Sequence, residues 1–479
     1  MKFLILLHRY LGIAVGLVVS LWCLSGFVMM YVQFPDLSRE EQLQGLDELN
    51  LSECCSLPAN FSNLDLDRYR IEMMAGRPVL RLSAGSEQHI IDLQQGEYLV
   101  DISEQRAGEI AAIFSANLGL AGDTHFLGTL DRDQWTVYGG LNPNRPLFHY
   151  QASDPAATEW YVSSINGEVI QMTTARERFW NWAGSVVHWI YPTILRQHTA
   201  AWLQVIIWLS VLGLFLTVVG VYIGITQLQN RRNGRLSPYR GVMLWHHYTG
   251  LIFGILTLTW LFSGLLSVNP WGALDGRSFA GEVQRIRGGT LTYDQAGDVV
   301  QDLAAKSLPD GTVRLEGSIL SGEPYLIAWD RDGESTRLDA HSFHTNPLTD
   351  SSFVKIAALT RPGEQIRNQG WLAEGDAYYY SHHDQKSFPV YRIQYEDGER
   401  VYLDRVSGQL AFAADSNRQL SRWLFLGLHR GDFSALIRQR PLWDLLLLPL
   451  LAGVTLSALT GTWMGFKRLM REPGIRRRR

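Results

Sequence analysis

Polar and apolar residues are segregated into blocks along this chain. Four windows are nearly free of charge: Leu11–Val32, Trp202–Ile225, Leu251–Val268 and Leu445–Gly465. Each is long enough to cross a bilayer as a helix, which takes about 20 apolar residues. Two polar blocks, 35–178 and 269–420, separate them. Each block is large enough for a folded domain. Inside the blocks the pattern becomes strand-like alternation broken by turn glycines. Ile90 to Gly96, Tyr161 to Gly167 and Val401 to Gly408 share this form, with a looser copy from Ile327 to Gly333. A turn glycine after Asn or Asp between apolar runs is a strong hairpin signal. Each half is therefore expected to hold two small α+β modules, each with a helix on an antiparallel sheet.

The apolar segments repeat. His8, Tyr10, Gly12, Gly16, Trp22, Ser25 and Gly26 return 238 residues later as His246, Tyr248, Gly250, Gly254, Trp260, Ser263 and Gly264. At an offset of 241, His188, Trp202, Gly220 and Gly224 return as His429, Trp443, Gly461 and Gly465. The expected fold is a membrane α-helical protein of four transmembrane helices with an internal two-fold repeat and external α+β modules. Its parts are helix 1 (1–34), an external block (35–178), an interfacial segment with helix 2 (179–228) and a loop (229–242). Helix 3 (243–268), a second block (269–420), an interfacial segment with helix 4 (421–466) and a basic tail (467–479) complete it. Repeats of this kind build sites at the repeat interface.

A mean hydropathy of −0.05 hides this mixture. So does the net charge of −4, because the charges are sorted by position. Lys2 and Arg9 flank the first window; Arg231, Arg232, Arg235 and Arg240 fill the loop between the second and third; Lys467, Arg468, Arg471 and Arg476 to Arg479 follow the fourth. Positive charge marks the cytoplasmic side, which puts both termini inside and both polar blocks outside. The arginine runs are this topology signal, so nucleic-acid binding is a poor reading. The first apolar run is too long for a secretory signal and no small-x-small site follows Val32, so an uncleaved span is expected.

Of the three cysteines, Cys23 falls mid-span and reads as packing. Cys54 and Cys55 are adjacent and external, open to a vicinal bridge, a link to another chain, or two free thiols. No Cys-x-x-Cys-His occurs, so any haem would be held noncovalently, as b-type.

The paired histidines carry the candidate chemistry. At 100° per residue, Gly12 lies about 40°, Gly16 about 80° and Gly26 about 0° around the helix from His8. One helix side therefore offers an imidazole and a strip without side chains, and Gly250, Gly254 and Gly264 repeat it beside His246. A flat porphyrin needs that combination. Helix packing also uses small-residue strips, but two copies at matched positions fit bis-histidine ligation of haem, one axial ligand from each repeat. His247 rivals His246; the repeat alignment sets His246 opposite His8 and His247 opposite Arg9. Arg9 and the loop arginines are candidates for haem propionates.

Hairpins ending in Tyr-Val-x-x-x-x-Gly-Glu-Val resemble PepSY domains. Together with "Leu-His8-Arg-Tyr-Leu-Gly" and "Leu-Gly-Leu-His429-Arg-Gly-Asp-Phe", they make nearly the whole chain resemble the PepSY-associated transmembrane family. That family includes iron-regulated inner-membrane proteins and bis-haem ferric-siderophore reductases. The resemblance implies a second haem b on the external side, between His188 and His429, with His198 as an alternative ligand. Arg196 and Arg438 lie in the segments after these histidines and can meet propionates or an anionic substrate. It also implies a ferric siderophore as substrate, cradled by the PepSY-like modules and reduced to release Fe(II).

No nucleotide-binding glycine motif follows a strand and no cytoplasmic block could hold a flavin or nicotinamide domain. Electrons must then come from a membrane quinol, a cytoplasmic reductase or a small donor. No Walker motif and no His-Glu-x-x-His occurs, which removes ATP-driven transport and a zinc protease. Two competing readings are a membrane-anchored PepSY regulatory or protease-inhibitory module without redox activity, and a transporter. The first leaves the histidine pairs unexplained, and the second predicts broken spans with polar centres. His341-x-x-His344 and His382-His383 lack a recognised metal frame. Asp444, at the start of the fourth window, reads as an anchor or cap as readily as a functional acid.

Overall fold

The computed structural model describes residues 1–52, 54–58, 64–85, 87–228, 236–382 and 385–470. Arg231, Arg232, Arg235, Arg471, Arg476 to Arg479 and His383 lie outside the described residues. The chain divides into a helical unit (Met1–Phe34, Phe179–Gly276, Ser416–Arg479) and a sheet unit (Pro35–Arg178, Arg277–Asp415).

Among the described residues, seven helices run eleven residues or more. They are α1 (Lys2–Met29), α2 (Glu104–Asn117), α3 (Thr199–Leu228), α4 (Val242–Ser267), α5 (Tyr293–Leu303), α6 (Asp350–Thr360) and α7 (Leu442–Leu469). Four of them, α1, α3, α4 and α7, are long and apolar enough to cross a membrane. At 26 to 30 residues they reach about 39–45 Å, against a hydrocarbon core of about 30 Å. Each begins or ends several residues beyond its apolar window. His8 and His246 therefore sit within α1 and α4, on helical turns, and not at the edge where the apolar run begins.

Helix α1 packs beside α3 and α7, and α4 packs beside the same two. Helices α1 and α4 thus face each other across the diagonal of a four-helix arrangement. Cys23, Val19, Leu451 and Val454 lie in its core. The outward faces are apolar: Ile252, Ile255 and Leu445 are each about 70% exposed. In water such a surface would be strongly unfavourable.

Among the described residues, the sheet unit has fifteen strands of three residues or more. The first eight are β1 (Arg68–Met74), β2 (Arg77–Ala84), β3 (Glu87–Asp92), β4 (Glu97–Leu99), β5 (Thr124–Leu130), β6 (Leu147–Ala152), β7 (Glu159–Ser163) and β8 (Val169–Thr173). The others are β9 (Arg314–Leu320), β10 (Glu323–Trp329), β11 (Ser335–Asp339), β12 (Ile366–Leu372), β13 (Val390–Tyr395), β14 (Arg400–Asp404) and β15 (Leu410–Ala414). All four hairpins expected from the sequence are present: β3–β4, β7–β8, β10–β11 and β14–β15. Gly96, Gly167, Gly333 and Gly408 hold their turns at positive φ. At Gly167 a side chain would also strike Met74 Sδ, 2.9 Å from an ideal Cβ.

One difference from the sequence expectation concerns the number of modules. The two blocks share a seven-stranded antiparallel sheet, ordered β11-β10-β9-β1-β2-β3-β4, in which β1 pairs with β9. Helix α5 covers one face through Val299, Val300 and Leu303. On the other face, α2 is packed between this sheet and the sheet β5-β6-β7-β8. Helix α6 does the same with β12-β13-β14-β15.

The β1–β9 register places Arg70 opposite Glu316 and Glu72 opposite Arg314. Glu72 is 1% exposed and pairs with Arg314 at 2.7 Å, Arg81 at 3.1 Å and Arg70 at 3.5 Å. Burial alone would raise the Glu72 carboxyl, but the guanidiniums of Arg314, Arg70 and Arg81 overcome it and hold it at about 2. This depression stabilises the folded state above pH 4.5, and the contribution is lost as pH falls toward 2. Removing one partner from a buried ionic cluster costs about 3–5 kcal/mol. Glu72→Gln is accordingly expected to lower the unfolding temperature of the sheet unit in full-length protein, followed by near-ultraviolet circular dichroism. An unchanged melt would mean that the cluster does not hold the two blocks together.

Candidate functional site

The helical unit brings the predicted histidines together in two pairs. His8 on α1 and His246 on α4 face each other with ring centroids 6.2 Å apart. His188 ends the short helix Ser185–His188. His429 lies in the turn Leu428–Arg430, which follows a π-helical segment, Arg422–Gly427. These two ring centroids are 6.0 Å apart.

The same hydrogen bond orients every ring. Nδ1 of His8 lies 3.2 Å from the Leu216 carbonyl, and Nδ1 of His246 lies 3.0 Å from the Ser457 carbonyl. Nδ1 of His188 is 3.1 Å from the Trp22 carbonyl, and Nδ1 of His429 is 3.2 Å from that of Trp260. A carbonyl only accepts, so each Nδ1 carries the proton and each Nε2 keeps a free lone pair. Histidines that bind a metal are oriented in this way. Burial lowers the His188 imidazole to about 4, and burial with His188 and Arg430 nearby lowers His429 to about 3. Both are neutral at pH 7, the form that ligates.

The spacing suits one iron per pair. With an iron–nitrogen bond of about 2 Å and about 1.1 Å from nitrogen to ring centre, two axial imidazoles sit about 6 Å apart by centroid. Two imidazoles at this spacing are a donor set that fits haem.

A cavity of about 660 Å³ surrounds the first pair. Cofactor pockets run roughly 300–1,000 Å³. Gly12, Gly16, Gly250 and Gly254 line it, as does Arg9. Arg240, Lys467 and Arg468 add further positive charge to its lining. The sequence did not reveal the work of two further glycines. An ideal Cβ on Gly220 would stand 2.6 Å from Cε1 of His8, and one on Gly461 would stand 2.9 Å from Cε1 of His246. These glycines, on α3 and α7, give the imidazoles their room. Their places in the repeat were visible, but nothing local to them names a histidine.

His247 is excluded as a ligand by its own bonds. Its Nδ1 lies 2.7 Å from Ser237 Oγ and its Nε2 lies 2.9 Å from the Gly224 carbonyl, so both nitrogens are engaged. His198 is exposed, just before α3, and is not in the second pair. The segments after His188 and His429 are pinned alike: Trp202 Nε1 donates to the Trp189 carbonyl at 2.9 Å, and Trp443 Nε1 to that of Arg430 at 2.8 Å. Arg196 lies over the Tyr191 and Trp202 rings and donates to Thr199 Oγ1. Arg438 pairs with buried Asp432 at 2.6 Å. Asp444 accepts from the Tyr31 hydroxyl at 3.2 Å and lies near Arg440, an anchoring arrangement. Cys54 and Cys55 are bonded to each other, and Cys23 is a buried free thiol.

No protein-family model matches the chain, and no curated protein matches it.

Gly220→Val and Gly461→Val should displace His8 and His246 and lower haem bound to the purified protein from two per chain toward one. Wild-type haem content in both variants would show that these imidazoles hold none.

Proposed function

We propose that this chain is an inner-membrane electron-transfer protein of the PepSY-associated transmembrane kind, which reduces a ferric siderophore or other ferric chelate in the periplasm. The observation that carries the reading is the shared orientation of four histidines, with each Nδ1 on a main-chain carbonyl and each pair of rings about 6 Å apart. Two b-type haems, when bound, supply one-electron transfer between the two ends of the helical unit. His8 and His246 would hold the inner one and His188 and His429 the outer one.

The chain's own residues then have distinct tasks. The four carbonyls fix the imidazole tautomers, and the glycines clear the ring faces. Arg9, Arg240, Lys467 and Arg468 offer cations to propionates. With both imidazoles of a pair holding it, a haem would favour electron transfer over oxygen chemistry. Trp22 lies fourteen residues beyond His8, so the two sites are about 21 Å apart along α1. The four helices cross the inner membrane with termini and loop in the cytoplasm, in keeping with the basic residues at that end. A quinol or cytoplasmic reductase delivers electrons there. One electron converts Fe(III) of the chelate to Fe(II), a less highly charged ion that oxygen chelators hold more weakly.

The test is reoxidation of the dithionite-reduced protein by a ferric hydroxamate under anaerobic stopped flow, with an Fe(II) indicator dye present. One Fe(II) is expected per electron stored, at a rate reduced at least tenfold in His188→Ala and His429→Ala. His246→Ala should lose the inner haem while His247→Ala keeps it. Haem signals that the chelate leaves reduced would contradict the proposed activity, and loss of the inner haem in His247→Ala alone would contradict the ligand assignment.

A further inference from the structure

The repeated signature contains a serine that ligation itself does not require. Ser25 and Ser263 return at the same offset as His8 and His246. Both are buried, at 1% and 0% exposure. Neither belongs to the histidine on its own helix. Ser25 Oγ lies 3.1 Å from Nδ1 of His188, and Ser263 Oγ lies 3.1 Å from Nδ1 of His429. Helices α1 and α4 therefore each carry an inner ligand near one end and a partner of an outer ligand near the other.

The proton inventory fixes the direction of these contacts. Nδ1 of His188 already faces the Trp22 carbonyl, so it carries the hydrogen. The Ser25 hydroxyl gives its own proton to the Leu21 carbonyl at 2.7 Å, with the Trp22 carbonyl at 3.1 Å. Its lone pair is then turned toward the imidazole N–H. Ser263 Oγ donates to the Trp260 carbonyl at 3.1 Å and accepts from His429 in the same manner. Each outer Nδ1–H is thus shared between a carbonyl and a hydroxyl oxygen, a three-centre bond. The inner pair has this arrangement on one side and at longer range: His246 Nδ1–H faces the Ser457 carbonyl at 3.0 Å and Thr460 Oγ1 at 3.3 Å, while His8 faces the Leu216 carbonyl at 3.2 Å.

We propose that Ser25 and Ser263 are positioning residues for the outer pair, and that their second hydrogen bond makes His188 and His429 stronger donors to iron than His8 and His246. The inference rests on the haem reading above. A more basic axial imidazole favours the ferric state, because partial withdrawal of the Nδ1 proton raises electron density on Nε2. The outer site then has the lower reduction potential of the two, as suits a group that must reduce a ferric chelate. Gly264 supports the same placement: an ideal Cβ there would lie 3.3 Å from Cε1 of His429, so the ring is seated against the α4 backbone beside Ser263.

The test is a potentiometric titration of full-length protein in detergent, with haem counted on the same samples. Ser25→Ala and Ser263→Ala should keep two haems per chain. They should shift one midpoint, the one missing in His188→Ala, to more positive potential and leave the other in place. Ser25→Thr or Ser263→Thr, which retains the hydroxyl, should return it toward the wild-type value. Two midpoints unmoved in both alanine variants would overturn the role of the serines. If an alanine variant loses the outer haem, restoration by threonine at either position supports the role and failure at both overturns it. Wild-type protein without haem would instead overturn the reading on which this inference rests.

Discussion

One constraint organises the helical unit: each paired histidine gives its Nδ1 proton to a main-chain carbonyl of another segment. His8 and His246 reach from α1 and α4 to α3 and α7. His188 and His429 reach from short segments back to α1 and α4. A histidine free to rotate could present either nitrogen, and its ring would lose that freedom on binding. Here the tautomer and the ring plane are set beforehand by backbone that cannot move without the helix. In the proposed reading, this preorganisation would suit two imidazoles about 6 Å apart to hold one iron between them.

The helix arrangement follows from the same need. With α1 and α4 on the diagonal, their histidines meet across the centre, and the flanking helices supply the carbonyls and the glycines that clear the rings. A cavity of about 660 Å³ lies beside His8 and His246, within the size range of cofactor pockets. The sheet unit depends on another long-range contact. There the two blocks of the chain are joined through the β1–β9 pairing, with three arginines converging on Glu72.

Much of this was legible in the sequence because it is written locally. Uncharged windows mark the long helices, and glycines after strand-like runs mark the four hairpins. The repeat itself singles out His8, His246, His188 and His429. Lys2, His8 and Arg9, and likewise the His246-His247 pair, precede the uncharged windows, yet the expected bounds 1–34 and 243–268 already include them, and α1 and α4 begin at Lys2 and Val242. The choice between His246 and His247 depends on Ser237 and on the carbonyl of Gly224, and neither is adjacent to them in the chain. The shared sheet was hidden for the same reason, although Arg70-Ile71-Glu72 and Arg314-Leu315-Glu316 carry one charge pattern that the pairing makes reciprocal. Serines 25 and 263 were visible as repeated letters only; their role needs the return of His188 and His429 to the ends of α1 and α4.

The most direct measurement is the spectrum of protein purified in detergent from cells supplied with haem, dithionite-reduced against oxidised, with a pyridine haemochrome count. Two axial histidine pairs predict sharp low-spin b-type bands at about two haems per chain. Protein that carries no haem under those conditions would contradict the account.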